Sequence, residues 1–99
     1  MTIRHIVSWQ LAATDPAEKA ESARTISTAL HSLVGVVDDI RSLHVGTDVV
    51  GGANWDIALV ADFADVDAVG RYQVHPAHQE VAALVRSLVS ARASVDFEV

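Results

Sequence analysis

The sequence predicts an α+β sandwich in which helices cover one face of a four-stranded antiparallel sheet. Two kinds of pattern carry this prediction. Segments in which apolar and polar residues alternate indicate strands, and segments with apolar residues three or four positions apart indicate helices. Along the chain they follow the order β, α, β, β, α, β, with one interruption in the second helical region. We expect a single domain over residues 1–99.

Composition favours a folded protein with a partner subunit. The chain has 51% hydrophobic and 20% charged residues and a mean hydropathy of +0.28, which is apolar for so small a domain. The net charge of −6 argues against nucleic acid and against an anionic membrane surface. No stretch approaches the roughly 20 apolar residues of a membrane span, and the first residues make a poor signal sequence, so we expect a cytoplasmic protein. The absence of cysteine excludes thiol catalysis and thiolate metal sites.

The first strand and first helix have clear signals. Residues 3–11 alternate, and the apolar side includes a histidine, His5. In the following TDPAEKAES, Asp15 can cap a helix that starts at Pro16, and Glu18 can complete a capping box.

The middle of the chain predicts two strands, from about residue 39 to 50 and from 55 to 63, joined by the glycines of VVGGAN. Ala58 and Val60, with Ile6 of the first strand, would leave apolar area on the outer face of the sheet. Such a face suits a second copy of the chain, so we expect a homodimer formed through it.

A second helix is predicted from Val66, capped by Asp65, to about Tyr72. Pro76 then begins a new helix that His75 caps. Residues 93–99 alternate as a last strand. The complete order is that of a ferredoxin-like sandwich.

Three residues suggest a proton-transfer site. His78 lies in the first turn of the last helix, where the helix dipole and partial burial disfavour the imidazolium, as a general base requires. Tyr72 could donate a hydrogen bond to a substrate oxygen, and His5 could meet the same space.

Structural roles for these residues stay open. His78 could simply bond a backbone carbonyl, and Trp9 could belong to the core or to a pocket wall. A metal pair of His75 and His78 is disfavoured, because Pro76 restricts its geometry and no third ligand is near. We therefore expect neither a metal nor a cofactor.

Five segments carry a family resemblance: IRHIV at 3–7, VGTDV at 45–49, WDIALVADF at 55–63, YQVHPAH at 72–78 and the terminal DFEV. With them the chain resembles the stress-responsive A/B barrel domain family, Dabb, over nearly its whole length. The resemblance implies a dimeric α/β barrel. Members include plant stress-induced proteins, uncharacterised bacterial proteins and a plant polyketide cyclase.

The resemblance to that cyclase implies roles for several residues. His78 would be the catalytic base, Tyr72 would bind the substrate, and His5 would line the pocket. Trp9, on the same face of the first strand, is expected to bind substrate as a pocket-wall residue. Ile57 and Leu30 stand where the cyclase has a histidine and a tyrosine. These positions are also expected to bind substrate, but a different or more apolar one.

Two functions follow as hypotheses. In one, the protein is a cofactor-independent cyclase or isomerase, in which His78 removes a C–H proton from a β-keto compound and Tyr72 stabilises the enolate oxygen. In the other, it is a non-catalytic, stress-related homodimer that binds an apolar small molecule or has a filled interior.

Overall fold

The computed structural model describes residues 1–99 and contains four strands and three helices. In chain order these are β1 (Ile3–Leu11), α1 (Pro16–His31), β2 (Ser42–Thr47), β3 (Ile57–Phe63), α2 (Val66–Val74), α3 (Pro76–Leu88) and β4 (Val89–Glu98). All strand pairs are antiparallel and the sheet order is β2-β3-β1-β4. The predicted ferredoxin-like sandwich is confirmed.

Strand β1 determines which side of the sheet is covered. Every odd-numbered residue from Ile3 to Leu11 is buried and every even-numbered residue between them is partly exposed. Strand β3 alternates in the same way, with Val7 opposite Leu59 and Trp9 opposite Ile57. Since cross-strand partners point to the same side, these buried residues face the helices and form the core.

The three helices begin at the predicted capping residues. The Asp15 carboxylate accepts hydrogen bonds from two backbone N–H groups of the first turn of α1, each at 3.1 Å. The Asp65 carboxylate accepts from the N–H of Ala68 at 2.8 Å, and His75 Nδ1 accepts from the N–H of Ala77 at 3.1 Å. Glu18 returns no side-chain bond to Asp15, so the capping box is only half formed.

The two middle strands are shorter than their patterns predict. Strand β2 starts at Ser42 because Asp39, predicted to lie in it, forms an ion pair with Arg71 of α2 instead. Strand β3 starts at Ile57 because Asp56 closes the end of the sheet, where its carboxylate accepts from the N–H of Leu11 at 2.8 Å. The connection includes Gly51 and Gly52 at φ values of 84° and 66°, which only glycine adopts without strain.

Strand β4 begins four residues earlier than its alternation predicts. Helix α3 ends at Leu88 and the strand starts at Val89, with no loop between them. The register places Arg92 opposite Trp9 and Asp96 opposite His5, on the helix side of the sheet. Ala93, Val95 and Phe97 therefore lie on the other side, whereas Val89, opposite Leu11 beyond a register shift, packs against the core.

The uncovered side of the sheet is apolar along β4, β1 and β3. Val95 and Phe97 are 61% and 43% exposed, and Val95 pairs with Ile6, which pairs with Val60. We call this surface the open face; its residues are Ile6, Ala58, Val60, Ala93, Val95 and Phe97. None of the helices combines the length and apolarity needed to cross a membrane.

Candidate functional site

A cavity of about 370 Å³ lies between the helices and the covered side of the sheet. Its apolar walls come from all layers of the fold: Val7, Trp9, Leu30, Leu59, Ala82 and Val85. Its polar lining consists of His5, Tyr72, Gln73, His78, Arg86 and Arg92. The volume and the mixture of apolar walls with a few polar groups are typical of small-molecule sites.

Tyr72 carries the most unusual polar group of the cavity. Its side chain has no exposed surface, and its hydroxyl is the one buried side-chain polar atom without a hydrogen-bond partner. Burial raises the pKa of Tyr72 from its ordinary value of 10.0 to about 12, although the charge of Arg92 acts in the opposite direction. The hydroxyl therefore stays protonated, and its hydrogen is not donated to any group of the protein.

His78 lies directly beside this phenol. The two ring centroids are 4.2 Å apart, and His78 Nδ1 lies 3.1 Å from the backbone carbonyl oxygen of Gln73. A carbonyl oxygen can only accept, so Nδ1 carries the hydrogen and Nε2 keeps a lone pair in the neutral ring. Burial is the main cause that lowers the pKa of His78 below its ordinary value of 6.5. At neutral pH the side chain is a neutral base.

His5 forms the sheet side of the same group. It is 3% exposed, and its Nδ1 is hydrogen-bonded to the carboxylate of Asp96 on β4. Its ring centroid lies 6.1 Å from that of Tyr72 and 6.3 Å from that of Phe63. Asp96 fixes the orientation of the imidazole from outside the cavity.

Most of the residues predicted for the site meet in this cavity. His5, Trp9, Leu30, Tyr72 and His78 all line it. Ile57 does not line this cavity, and its contact with a substrate stays a prediction. It is buried one pleat beyond Leu59, which takes the lining position on β3.

Four residues near the cavity were missed from the sequence. Gln73 and Asp96 lie within the segments YQVHPAH and DFEV, but no role was predicted for their side chains, and Arg86 and Arg92 belong to no motif. The alternation of β4 gives the only signal. One set of its residues, either the polar or the apolar one, must face the helices, but the sequence alone does not show which. The acidic residues were expected at exposed positions without a specific role, but the Asp96 carboxylate bonds the buried His5.

The structure also defines what His75 does. Its Nδ1 caps α3, which removes that nitrogen from metal ligation. No group of three or more potential His, Asp or Glu ligands is close enough together to hold a metal ion.

The fold and site together define a small ferredoxin-like protein with a neutral histidine base and a free phenol in one cavity. The chain belongs to the Stress responsive A/B Barrel Domain family, Dabb, whose family model matches residues 3–99. No curated protein matches the sequence.

Solved structures agree with this fold. A dimeric protein of unknown function and ferredoxin-like fold from Bacteroides fragilis is 29% identical, with a TM-score of 0.90 over 99% of this chain and 96% of that one. The hydroxynitrile lyase of Passiflora edulis is 16% identical, with a TM-score of 0.77 over 97% and 91% of the chains. SnoaB, a cofactor-independent oxygenase from Streptomyces nogalater, is 16% identical, with a TM-score of 0.73 over 99% and 92%. The last two similarities concern the fold alone.

Proposed function

We propose that this protein is a cofactor-independent enzyme of the cyclase or isomerase type that acts on a β-keto compound. The observation that carries the proposal is the pairing of two free groups in one cavity: the lone pair of His78 Nε2 and the unpartnered hydroxyl of Tyr72. A base and a hydrogen-bond donor side by side are what enolisation of a carbon acid requires.

The reaction begins with proton transfer from carbon to His78 Nε2. The electron pair of the broken C–H bond moves onto the carbonyl oxygen, which becomes an enolate oxygen and accepts a hydrogen bond from the Tyr72 hydroxyl. In a cyclase, the enolate carbon then attacks a second carbonyl of the same molecule, and the His78 imidazolium returns its proton to the new alkoxide. In an isomerase, the proton returns to another carbon instead.

The environment of the two side chains supports these roles. The lowered pKa of His78 keeps the base neutral at pH 7. The high pKa of Tyr72 keeps the phenol protonated, so it acts as a donor and not as an acid that loses its proton. Apolar walls around both groups strengthen a hydrogen bond to the developing negative charge. The existence of a lyase and an oxygenase on this fold agrees with an enzyme.

We also propose that the chain forms a homodimer through the open face. Val95 and Phe97 are large apolar residues exposed on that face, and they extend the apolar area that Ile6 and Val60 begin. The Bacteroides fragilis relative is described as dimeric. A homodimer without catalysis, whose cavity only stores or carries an apolar small molecule, is the competing function, and the mostly apolar lining of the cavity favours it.

Exchange of carbon-bound hydrogen with solvent separates the two functions without knowledge of the product. β-Diketones and β-keto acids are incubated with the protein in D₂O, and loss of the α-proton signal is followed by NMR. We expect the wild type to accelerate exchange, and His78→Ala to lose the acceleration by about 10²–10⁴-fold. His31→Ala is the matched control, because His31 is an exposed histidine outside the cavity. Equal exchange rates in His78→Ala and wild type would leave only the binding function.

A further inference from the structure

The cavity contains two arginines that the proposed proton transfer does not use. Arg86 and Arg92 both line it, and neither lies within ion-pair distance of a carboxylate. The two guanidinium groups together make one side-chain hydrogen bond, from Arg92 Nη1 to Ser94 Oγ at 3.4 Å. Three arginines elsewhere do have carboxylate partners: Arg4 with Asp62, Arg24 with Glu21 and Arg71 with Asp39.

This placement runs against the charge of the whole chain. The net charge of −6 means that carboxylates are abundant, yet the guanidinium groups of Arg86 and Arg92 pair with none of them and line the same cavity. Trp9 and Leu59 line the same cavity, and apolar, low-dielectric walls of this kind concentrate the field of the two cations in the space between them. An anion that enters the cavity meets no competing carboxylate from the protein among the lining residues.

The backbone explains why the two side chains converge. Arg86 lies in the last turn of α3 and Arg92 near the start of β4. Because the strand follows the helix without a loop, the two positions flank one rigid corner. Arg92 sits opposite Trp9 on the helix side of the sheet, and both arginines are exposed residues that line the cavity at its rim.

The arginines also act on the two reactive groups. After burial and the other causes, the charges of Arg92 and Arg86 contribute to the lowered pKa of His78. For Tyr72, where burial dominates, the charge of Arg92 favours the anionic phenolate. Both effects mean that positive potential reaches the place where an enolate would form.

We propose that the ligand of this cavity is a carboxylate, held by the guanidinium groups of Arg86 and Arg92, with its apolar part against Trp9 and Leu59. The planar fork of arginine matches a carboxylate with two parallel hydrogen bonds. This deepens the proposed function and rests on it for the orientation of the ligand: the substrate is a β-keto acid, not a neutral β-diketone.

The chemistry of the reaction fits this assignment. A free carboxylate next to the reacting carbon makes the C–H proton harder to remove, because the enolate would carry a second negative charge. Pairing that carboxylate with two guanidinium groups removes most of the penalty. The arginines would thus bind the substrate and also make its proton accessible to His78.

Binding can be tested without turnover by calorimetry with stable probes. The pair 3-phenylpropanoate and 3-phenylpropanamide has the same shape and differs in charge, and inorganic phosphate tests a different anion. We expect the carboxylate to bind wild type about tenfold more tightly than the amide, as a charge-assisted arginine pair implies. The double variant Arg86→Gln with Arg92→Gln should reduce this ratio to about one. The double variant Arg86→Gln with Arg92→Lys, which keeps one cation, should restore part of it. Arg24→Gln, a paired arginine outside this cavity, is the control and should keep the ratio.

Each result decides the proposal. Equal affinity of wild type for carboxylate and amide, no binding of either, or an unchanged ratio in the double variant would overturn it. If phosphate displaces 3-phenylpropanoate and binds more tightly than it, the cavity prefers a phosphate group. The proposal of a β-keto acid would then be overturned. A carboxylate preference that depends on the arginines, together with hydrogen exchange that does not depend on His78, would retain the anion site and refute the enzyme.

Discussion

Removal of the Tyr72 hydroxyl should make the protein more stable and less active. Tyr72→Phe deletes one oxygen from a side chain that is fully buried and whose hydroxyl has no partner in the protein. A buried polar group without a hydrogen bond costs roughly 1–3 kcal/mol in proteins. The variant should therefore gain about 1 kcal/mol in the free energy of unfolding, the low end of that range, and the ring contacts with Phe63 and His78 should persist.

The assay is urea unfolding followed by circular dichroism, with both proteins at equal concentration because dimerisation would add to stability. A gain of this size corresponds to roughly 4–8 °C in melting temperature for a domain of this length. Phe63→Leu, which removes the aromatic ring whose centroid lies 4.9 Å from that of Tyr72, should instead lose about 1 kcal/mol or more through a cavity. If Tyr72→Phe proved less stable than wild type by 1 kcal/mol, the hydroxyl would have a structural bond, and its role as a free donor would be wrong.

Three further perturbations test other parts of the structure. The proton-exchange rate should be flat above pH 7 and fall as pH drops through the folded pKa of His78, which lies below 6.5. The free energy of unfolding should also decline as pH falls from 6.5 towards that pKa, because the unfolded chain then binds a proton that the folded chain does not. His78→Ala should remove this pH dependence in unfolding measurements. Val95→Asp should convert a dimer into a monomer in sedimentation runs at micromolar concentration, whereas Val49→Asp, which changes a residue 95% exposed in a loop outside the open face, should leave the dimer intact. Asp15→Ala should lower the free energy of unfolding by about 1 kcal/mol through the lost helix cap, and an unchanged urea midpoint would show that α1 does not depend on it.

Local signals predicted the covered side of the sheet well. The alternation in β1 and β3 is confirmed residue by residue, because each position has only two directions in which to point. Capping by Asp15, Asp65 and His75 is confirmed for a similar reason, since each cap involves a few neighbouring residues. These features depend on interactions that are short in sequence.

Features that depend on contacts between distant parts of the chain could not be predicted from the sequence. The apolar residues of β4 alternate as predicted, but only the register with β1 reveals that they belong to the open face and that Arg92 and Asp96 face the helices. Nothing near Asp96 in sequence indicates a partner 91 residues away. The true limits of β2 and β3 likewise depend on distant contacts, between Asp39 and Arg71 and between Asp56 and Leu11.

The strict alternation of β1 places the residues of the cavity and those of the open face at alternate positions of one strand. Odd positions such as His5 and Val7 contact the cavity, and even positions such as Ile6 lie on the opposite surface. Substitutions of one parity can therefore remodel one surface while the other is preserved, but insertion or deletion of a single residue would exchange the two sets at once. We expect natural variants to differ freely in side chains along this strand and almost never in its length.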